Sequence, residues 1–192
     1  MFFLNRPTAQ RIARFRQTAT QDSFSYPEVG ATLEGSFPDG YNLDRNRIRL
    51  GEGSGTFERA FAALCEWKMF DIGWAELLHP PEPIVPGQTV LVLARTFGLY
   101  SLSANRVIGM IEDDSGHLQR RGFSYGSLQH HAERGEERFS IEHHAQDDSV
   151  WYDILAFSIP QHPLARLGYP LSRAAQRRFA RDSKSAMLRA IS

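Results

Sequence analysis

The last thirty residues, Pro163 to Ser192, constrain the fold of this chain more than any other stretch. Their apolar side chains recur at steps of three, four or multiples of these, the spacing that gathers side chains on one face of an α-helix. The residues in this stripe are Leu164, Leu167, Leu171, Ala175, Phe179, Ala186 and Ala190. The pattern predicts one long amphipathic helix whose apolar face must pack on another layer of structure.

The runs before this helix alternate between apolar and polar residues, as strands with one buried face do. Short turns separate them and indicate antiparallel pairing. The predicted strands are Tyr41–Leu50, Trp74–His79, Gln88–Phe97, Leu102–Glu112, Gln119–Leu128, Glu136–Ala145 and Ser149–Ile159. A proline-rich loop is predicted at Pro80, Pro81, Pro83 and Pro86. We therefore expect an α+β fold in which the final helix covers a seven-stranded antiparallel sheet.

The first forty residues are predicted to form an extension in front of the sheet. Thr8 can cap a short helix that ends at Ala19. The rest of this part is rich in glycine and proline, which predicts an irregular connection. We expect an N-terminal helical extension over residues 1–40 and the sheet-and-helix domain over residues 41–192.

A glycine-rich turn, Gly51-Glu52-Gly53-Ser54-Gly55, joins the first long strand to a helix predicted over Thr56–Met69. Such a turn can hold a phosphate on the free N–H groups of the helix start. A dinucleotide site needs a third glycine where Thr56 stands, and a P-loop needs a lysine that this turn lacks. We interpret it as a structural turn in which Ser54 or Thr56 caps the helix.

Charge and cysteine content argue against several classes of function. The 22 basic and 22 acidic residues cancel, so no overall field attracts nucleic acid or an anionic membrane. Cys65 is the only cysteine, which rules out an intrachain disulfide and fits a reducing cytoplasm. No apolar run is long enough to cross a bilayer, and no spacing matches a zinc or calcium site. We expect a cytoplasmic protein without a metal, a cofactor or a nucleic-acid partner.

Large aromatic residues in the predicted sheet and helix point to a cavity between the two, because rings on such surfaces tend to leave shaped space. The residues expected to line this cavity are Trp74, Tyr125, Trp151 and Phe179. His131 or Asp153 would supply its polar group. The alternative is a fully packed core in which the same side chains fill the interior.

Asp153 has two possible positions. In a regular strand it shares a face with Trp151 and Phe157. If that face is the dry one, the carboxylate needs a partner such as Arg95 or Arg106, because an unpaired buried charge is costly. If that face is the outer one, Asp153 is in water. The opposite face of the strand is equally apolar, so the sequence leaves both positions open.

Strand, helix, six strands and a long final helix is the element order of the START-like superfamily, also called birch-allergen-like, which the chain resembles. At closer range it is similar to a family of bacterial and plant proteins defined only by a domain of unknown function. The matching segments are Asn46-Arg47-Ile48, Gly51, Gly53, Trp67, Met69-Phe70, Trp74, Gly122-Phe123-Ser124-Tyr125-Gly126, His131, Gly135-Glu136-Glu137-Arg138-Phe139, Trp151-Tyr152-Asp153 and Arg178-Phe179-Ala180-Arg181-Asp182-Ser183. The resemblance implies a helix-grip fold, a strongly curved sheet wrapped around the last helix with an apolar cavity between them. The family itself implies no known reaction.

The function we expect is therefore the binding of a small hydrophobic or amphipathic molecule in that cavity. The alternative is an enzyme of the same fold in which Tyr125, His131 or Asp153 performs acid–base chemistry on a hydrophobic substrate. A third interpretation is a protein-interaction module that docks through its basic ends.

Overall fold

An antiparallel sheet of eight strands forms the centre of the molecule in a computed structural model that describes residues 1–80 and 83–192. The strands are β1 (Phe2–Phe3), β2 (Asn42–Glu52), β3 (Ala75–Leu78), β4 (Thr89–Thr96), β5 (Leu99–Asp114), β6 (Leu118–Ser127), β7 (Glu133–His144) and β8 (Ser149–Pro160). Their order in space is β2-β8-β7-β6-β5-β4-β3, and β1 pairs with the start of β5, beyond the end of β6. The predicted fold class is confirmed, with β1 as an additional strand.

Helices pack on both faces of this sheet. Those described are α1 (Ala9–Ala19), α2 (Ala31–Glu34), α3 (Ser54–Cys65), α4 (Pro163–Leu167) and α5 (Tyr169–Ile191), with a 3-10 turn at Lys68–Phe70. In the described part of the chain, no helix has the length and apolarity that a membrane crossing requires. Pro81 of the predicted proline-rich loop and the side chain of Leu164 lie outside the described residues.

The inner face of the sheet, defined here as the face toward α3 and α5, carries the main core. Strand alternation gathers large side chains there from the three central strands β6, β7 and β8. They are Phe123, Tyr125, Phe139, Ile141, Tyr152 and Ile154. The register shifts between Arg49 and Gly51 in β2 and between Val107 and Gly109 in β5, irregularities of the kind that bend strands and curve a sheet.

The C-terminal segment is not one continuous helix, which corrects the prediction. Gly168 separates α4 from α5, and Pro170 lies in the first turn of α5, where its missing N–H is not needed. Leu167 is 85% exposed and Leu171 is 52% exposed. The buried stripe begins later and consists of Ala180, Ser183, Ala186 and Met187. The predicted helical period is right for Ala186, but the predicted stripe members Leu167, Leu171 and Ala190 are exposed.

Beyond β1, helix α1 and the segment around Tyr26 and Ala31 lie against the outer face of the sheet, opposite the inner one. Thr8 caps α1 as predicted, because its side chain accepts a backbone hydrogen bond from the first turn. Phe15 of α1 is buried against apolar side chains of β4 and β5. The short helix α2 packs on β7, where the backbone N–H of Thr32 donates to the buried carboxylate of Glu136.

The glycine-rich turn leads into α3 as predicted, but the helix cap is not the predicted one. Gly53 occupies the N-cap position of α3 with φ of +84°, a left-handed conformation that favours glycine. Ser54 is already the first residue of the helix. The N–H of Gly53 donates to the carbonyl of Asp148 at 2.9 Å, which ties the turn to the β7–β8 hairpin.

Candidate ligand-binding cavity

A cavity of about 700 Å³ lies between the inner face of the sheet and the first half of α5. Most of its wall is apolar and comes from β3, β4, β8, α5 and the 3-10 turn. These residues include Phe70, Trp74, Ala75, Val92, Ala94, Ile154, Ala156, Ala175, Phe179 and Ala180. Hydrogen-bonding side chains line the part of the wall formed by β5, β6 and β7. They include Ser103, Asn105, Tyr125, His131, Glu133 and Glu137.

Four of the six residues predicted from the sequence line this cavity: Trp74, Tyr125, His131 and Phe179. The indole N–H of Trp74 donates to Asp182 at 2.9 Å, which fixes the orientation of its ring in the wall. Phe179 packs against Phe70 with ring centroids 5.2 Å apart. That these four residues bind a ligand remains a prediction.

The structure does not bring Trp151 and Asp153 to the cavity, which corrects their predicted positions. Both side chains lie on the outer face, because alternation along β8 places Tyr152 and Ile154 on the inner face. Asp153 is nevertheless fully buried. Its carboxylate accepts from Arg45 Nε at 2.9 Å and therefore has a structural partner.

The arginine partners proposed for Asp153 are also different from those observed. Besides Arg45, its carboxylate contacts Arg47 at 3.3 Å and Arg138 at 3.3 Å. Arg106 instead donates to main-chain carbonyl groups of the N-terminal extension, such as that of Asp22 at 2.8 Å. Asp153 belongs to a buried ion-pair network that holds β2, β7 and β8 together, and it cannot orient a ligand in the cavity.

Glu137 is a polar residue of the cavity that was not predicted to line it, although it belongs to a cluster of titratable residues between Tyr125 and Glu137 in the sequence. It lies directly opposite Tyr125, whose hydroxyl donates to Glu137 Oε2 at 2.9 Å. Burial raises the pKa of the Glu137 carboxyl to about 7, and the nearby negative charges of Glu133 and Asp44 act in the same direction. Burial also raises the pKa of Tyr125 well above its ordinary value. At neutral pH the tyrosine therefore stays protonated while Glu137 populates both charge states.

Two further carboxylates near Glu137 are held by partners. The carboxylate of Asp44 accepts hydrogen bonds from both terminal nitrogens of Arg173 on α5, with nitrogen–oxygen distances of 2.5 and 2.6 Å. Glu133 accepts from the hydroxyl of Ser158 at 2.7 Å and from the side-chain amide of Gln176. These contacts join β2, β7 and β8 to α5 at the cavity and fix both carboxylates in place.

His131 lies in the cavity wall as an uncharged group. Its Nδ1 is 2.7 Å from the carbonyl oxygen and 3.0 Å from the backbone nitrogen of Glu133. Burial lowers the pKa of the imidazole to about 4, so His131 is neutral at pH 7. Across residues 1–80 and 83–192, no three His, Cys, Asp or Glu side chains are arranged to hold a metal ion.

Asn105 supplies an amide on the same part of the wall. It is only 4% exposed, and none of the described residues forms a hydrogen bond with its side chain. It pairs with Ser127 on β6, two residues beyond Tyr125, so both side chains emerge on the inner face. Buried amides are normally hydrogen-bonded, so Asn105 marks a position where a ligand atom or solvent completes the wall.

A second concavity, of about 560 Å³, lies beside the edge strand β3 on the other side of Trp74. Three of the charged groups around it have partners, since Arg6 pairs with Glu76 and the guanidinium of Arg95 lies over the ring of Tyr100. We therefore assign the candidate site to the cavity under α5.

Comparison with known proteins gives the family. Residues 25–186 match the family described as Domain of unknown function (DUF1990). The chain belongs to the DUF1990 family. The family resemblance predicted from the sequence is thereby confirmed, and the matched residues include every side chain of the cavity described above.

Relatives of this DUF1990 protein extend over its full length. A UPF0548 protein of Deinococcus radiodurans is 40% identical and covers 99% of this chain and 98% of its own length. A UPF0548 protein of Dictyostelium discoideum is 33% identical and covers 100% and 96%. Among solved structures, a START superfamily protein from Mycobacterium smegmatis is similar with a TM-score of 0.47 and 10% identity, covering 77% of this chain and 97% of that one.

Proposed function

We propose that this DUF1990 protein binds a small hydrophobic or amphipathic molecule in the cavity between the sheet and α5. The observation that carries the proposal is the cavity itself, whose volume of about 700 Å³ lies within the range of ~300 to 1,000 Å³ typical of ligand pockets. Close-packed protein interiors contain few voids larger than a water molecule. The predicted alternative of a fully packed core therefore loses support at this place in the fold.

The lining of the cavity suits a ligand with one polar end. Aromatic and small aliphatic side chains form most of the wall, and the hydrogen-bonding groups of Asn105, Tyr125 and Glu137 lie on adjacent strands. An apolar body would displace water from the aliphatic part, which is favourable. A polar group would reach the hydrogen-bonding part, which fixes its orientation.

The mouth of the cavity exposes apolar side chains that a ligand would meet on entry. Phe97 is 61% exposed, Leu171 is 52% exposed, and both line the cavity. Phe97 also has φ of +51° in the two-residue turn between β4 and β5, where the following residue is Gly98. A bulky residue is costly in this left-handed conformation. Its presence supports a role for the ring at the entrance.

A cavity-filling substitution tests the proposal. Ala156 lines the cavity from β8, and Ala156→Phe would occupy part of its volume. Ala145→Phe, at an exposed position after β7, is the matched control. A panel of fatty acyl, isoprenoid and aromatic compounds should raise the melting temperature of the wild type and of Ala145→Phe but not of Ala156→Phe. The proposal fails if no compound binds the wild type, or if Ala156→Phe binds as the control does.

Acid–base catalysis is the second candidate function. The residues that favour it are Tyr125 and Glu137, because they lie in the cavity wall, whereas Asp153 does not. A carboxyl group with pKa about 7 exchanges protons readily at neutral pH, which is what a general acid or base requires. Mass spectrometry of carbonyl-containing ligands incubated with the protein in deuterated water would report exchange at the carbon next to the carbonyl. Exchange that depends on Glu137 would favour an enzyme, and binding without exchange would favour a carrier.

A further inference from the structure

We infer that the cavity selects ligands whose polar end is a protonated amine, held between the carboxylate of Glu137 and the side-chain amide of Asn105. This inference rests on the proposed function, because it specifies the chemistry of the ligand that enters the same cavity. The apolar body of such a ligand would lie against the aliphatic and aromatic wall below α5.

The hydrogen bonds of the three cavity carboxylates differ in a way that singles out Glu137. Asp44 is ion-paired with Arg173, and Glu133 accepts hydrogen bonds from two side chains. Glu137 accepts only from Tyr125, through Oε2, and no described residue donates to Oε1. A carboxylate can accept several hydrogen bonds, so Oε1 is an open acceptor in the wall. A protonated amine carries three donors and satisfies it.

The charges around Glu137 favour a cation at that point. The groups that face it are Tyr125 from β6, Glu133 from β7, Asp44 from β2 and Tyr152 from β8, and the negative ones raise its pKa. From α5, Arg173 approaches this group of side chains but is bound to Asp44. A ligand cation next to Oε1 would supply the opposite charge that this position lacks.

Positive groups elsewhere in the lining do not occupy this place. His131 is neutral because burial lowers its pKa to about 4. Arg45 is bound to Asp153 on the outer face, and Arg134 lies over the ring of Tyr41. Arg177 is exposed on α5 at the rim. Among the described residues, the charges that act on the Glu137 carboxyl are therefore those of Glu133 and Asp44, and both are negative.

Asn105 is the second observation that points to a ligand. Its side chain is buried in the wall without a hydrogen-bond partner among the described residues, one strand away from Tyr125 and two from Glu137. The carbonyl oxygen of an amide accepts hydrogen bonds from an ammonium group, so Asn105 offers the second acceptor that the proposed head group requires. A carboxylate head group would instead face Glu137 and its acidic neighbours, which disfavours fatty acids.

The two head-group charges predict opposite effects of pH. An alkylamine stays protonated between pH 5.5 and 8, whereas Glu137 loses its proton as the pH rises through about 7. At pH 5.5 only about one Glu137 in thirty is ionised, so amine binding should weaken by up to about thirtyfold relative to pH 8. A carboxylate ligand should bind better at the lower pH.

The test uses three probes with one apolar body, namely 6-phenylhexylamine, 6-phenylhexan-1-ol and 6-phenylhexanoate. Calorimetric titration of the full chain at pH 8 should give the amine the highest affinity. Glu137→Gln keeps the shape and the Tyr125 contact but removes the charge, so the amine should bind about tenfold more weakly or worse. The alcohol should be little affected. The control is Glu112→Gln, at an exposed position on β5, which should bind all three probes like the wild type.

Asn105→Leu tests the second contact. It should weaken the amine and the alcohol alike at pH 8 while leaving the pH dependence of amine binding in place, because Glu137 is unchanged. If Asn105→Leu bound both probes with wild-type affinity, Asn105 would not contact the head group of the ligand. Thermal unfolding of each variant shows whether it is folded before titration.

The outcomes separate the inference from the proposed function. If the alcohol binds but the amine binds no better at pH 8 than at pH 5.5, the inference is wrong and the binding function stands. If Glu137→Gln leaves amine affinity unchanged, the inference is likewise wrong. If none of the three probes binds the wild type at either pH while other apolar compounds do, the amine head group is excluded. If nothing binds, the proposed function itself fails.

Discussion

Tyr125 and Glu137 face each other across strands β6 and β7, and the tyrosine hydroxyl donates a 2.9 Å hydrogen bond to the carboxyl group. This contact provides a hydrogen bond to one oxygen of a carboxyl group whose pKa is raised by burial. Well-packed apolar residues would be more stable at such a position, because the desolvation of a charge is costly. Proteins often retain a locally unfavourable residue where it serves a function.

Glu137→Gln should stabilise the protein at alkaline pH. The carboxyl titrates near 4.5 in the unfolded chain and near 7 in the folded one. Between these values the folded chain holds a proton that the unfolded chain has lost, so rising pH lowers the free energy of unfolding. Urea unfolding should give a variant more stable than the wild type by about 2 to 3 kcal/mol at pH 8, and by little at pH 4.5. If the variant and the wild type differed in free energy of unfolding by the same amount at pH 4.5 and pH 8, Glu137 would not have a raised pKa in the folded protein.

Phe97→Asn should raise stability and weaken ligand binding. Asparagine tolerates the left-handed conformation found at this turn, so relief of the phenylalanine strain should stabilise the fold by about 1 kcal/mol. The loss of an apolar ring at the mouth should lower affinity for apolar probes. Thermal unfolding and calorimetric titration measure the two effects. A variant that is less stable and binds normally would show that the ring serves the fold and not the entrance.

Asp153→Asn should destabilise the protein without a specific effect on ligands. The substitution removes a fully buried charge that contacts Arg45, Arg47 and Arg138. Breaking a buried ion pair leaves uncompensated charge and costs about 3 to 5 kcal/mol. Chemical denaturation should show this loss, while probes that bind the folded variant keep their wild-type affinity. A selective loss of polar ligands would restore Asp153 as a cavity residue.

Phe179→Ala should cost less stability than Phe139→Ala. Phe139 is fully buried in the core, and its truncation should lower the free energy of unfolding by about 3 to 5 kcal/mol. Phe179 is only partly buried because one side of its ring faces the cavity, so the expected loss is about 2 kcal/mol. Equal losses in urea unfolding would indicate that the ring of Phe179 is packed on all sides and that the cavity is closed there.

Element type and order could be predicted from the sequence because most strands and helices carry clear periodicity. The two residues Phe2 and Phe3 form a strand too short to show alternation, so β1 was missed. The interruption at Gly168 was missed because the apolar residues keep helical spacing across it. A single glycine is tolerated in many helical patterns and does not by itself predict a break.

Site residues were harder to predict where both faces of a strand are apolar. On β8, Trp151 and Phe157 lie on the outer face of the sheet. The N-terminal residues and a group of arginines cover much of this face, so apolar side chains occur on both faces of the strand. Apolarity alone therefore could not identify the inner face. The inward position of Glu137 had a signal, because it precedes Phe139 by two residues. Its partner Tyr125 depends on the hairpin register, which the sequence does not specify.

The indole N–H signals of tryptophan in an NMR titration test the cavity most directly. Trp74 lies in its wall and Trp151 lies on the outer face under Arg47. In protein labelled with ¹⁵N-tryptophan, with signals assigned through Trp74→Phe and Trp151→Phe, 6-phenylhexan-1-ol should shift the Trp74 signal in a saturable manner and leave that of Trp151 in place. A saturable shift of Trp151 alone, or no shift at either position, would contradict ligand binding between the sheet and α5.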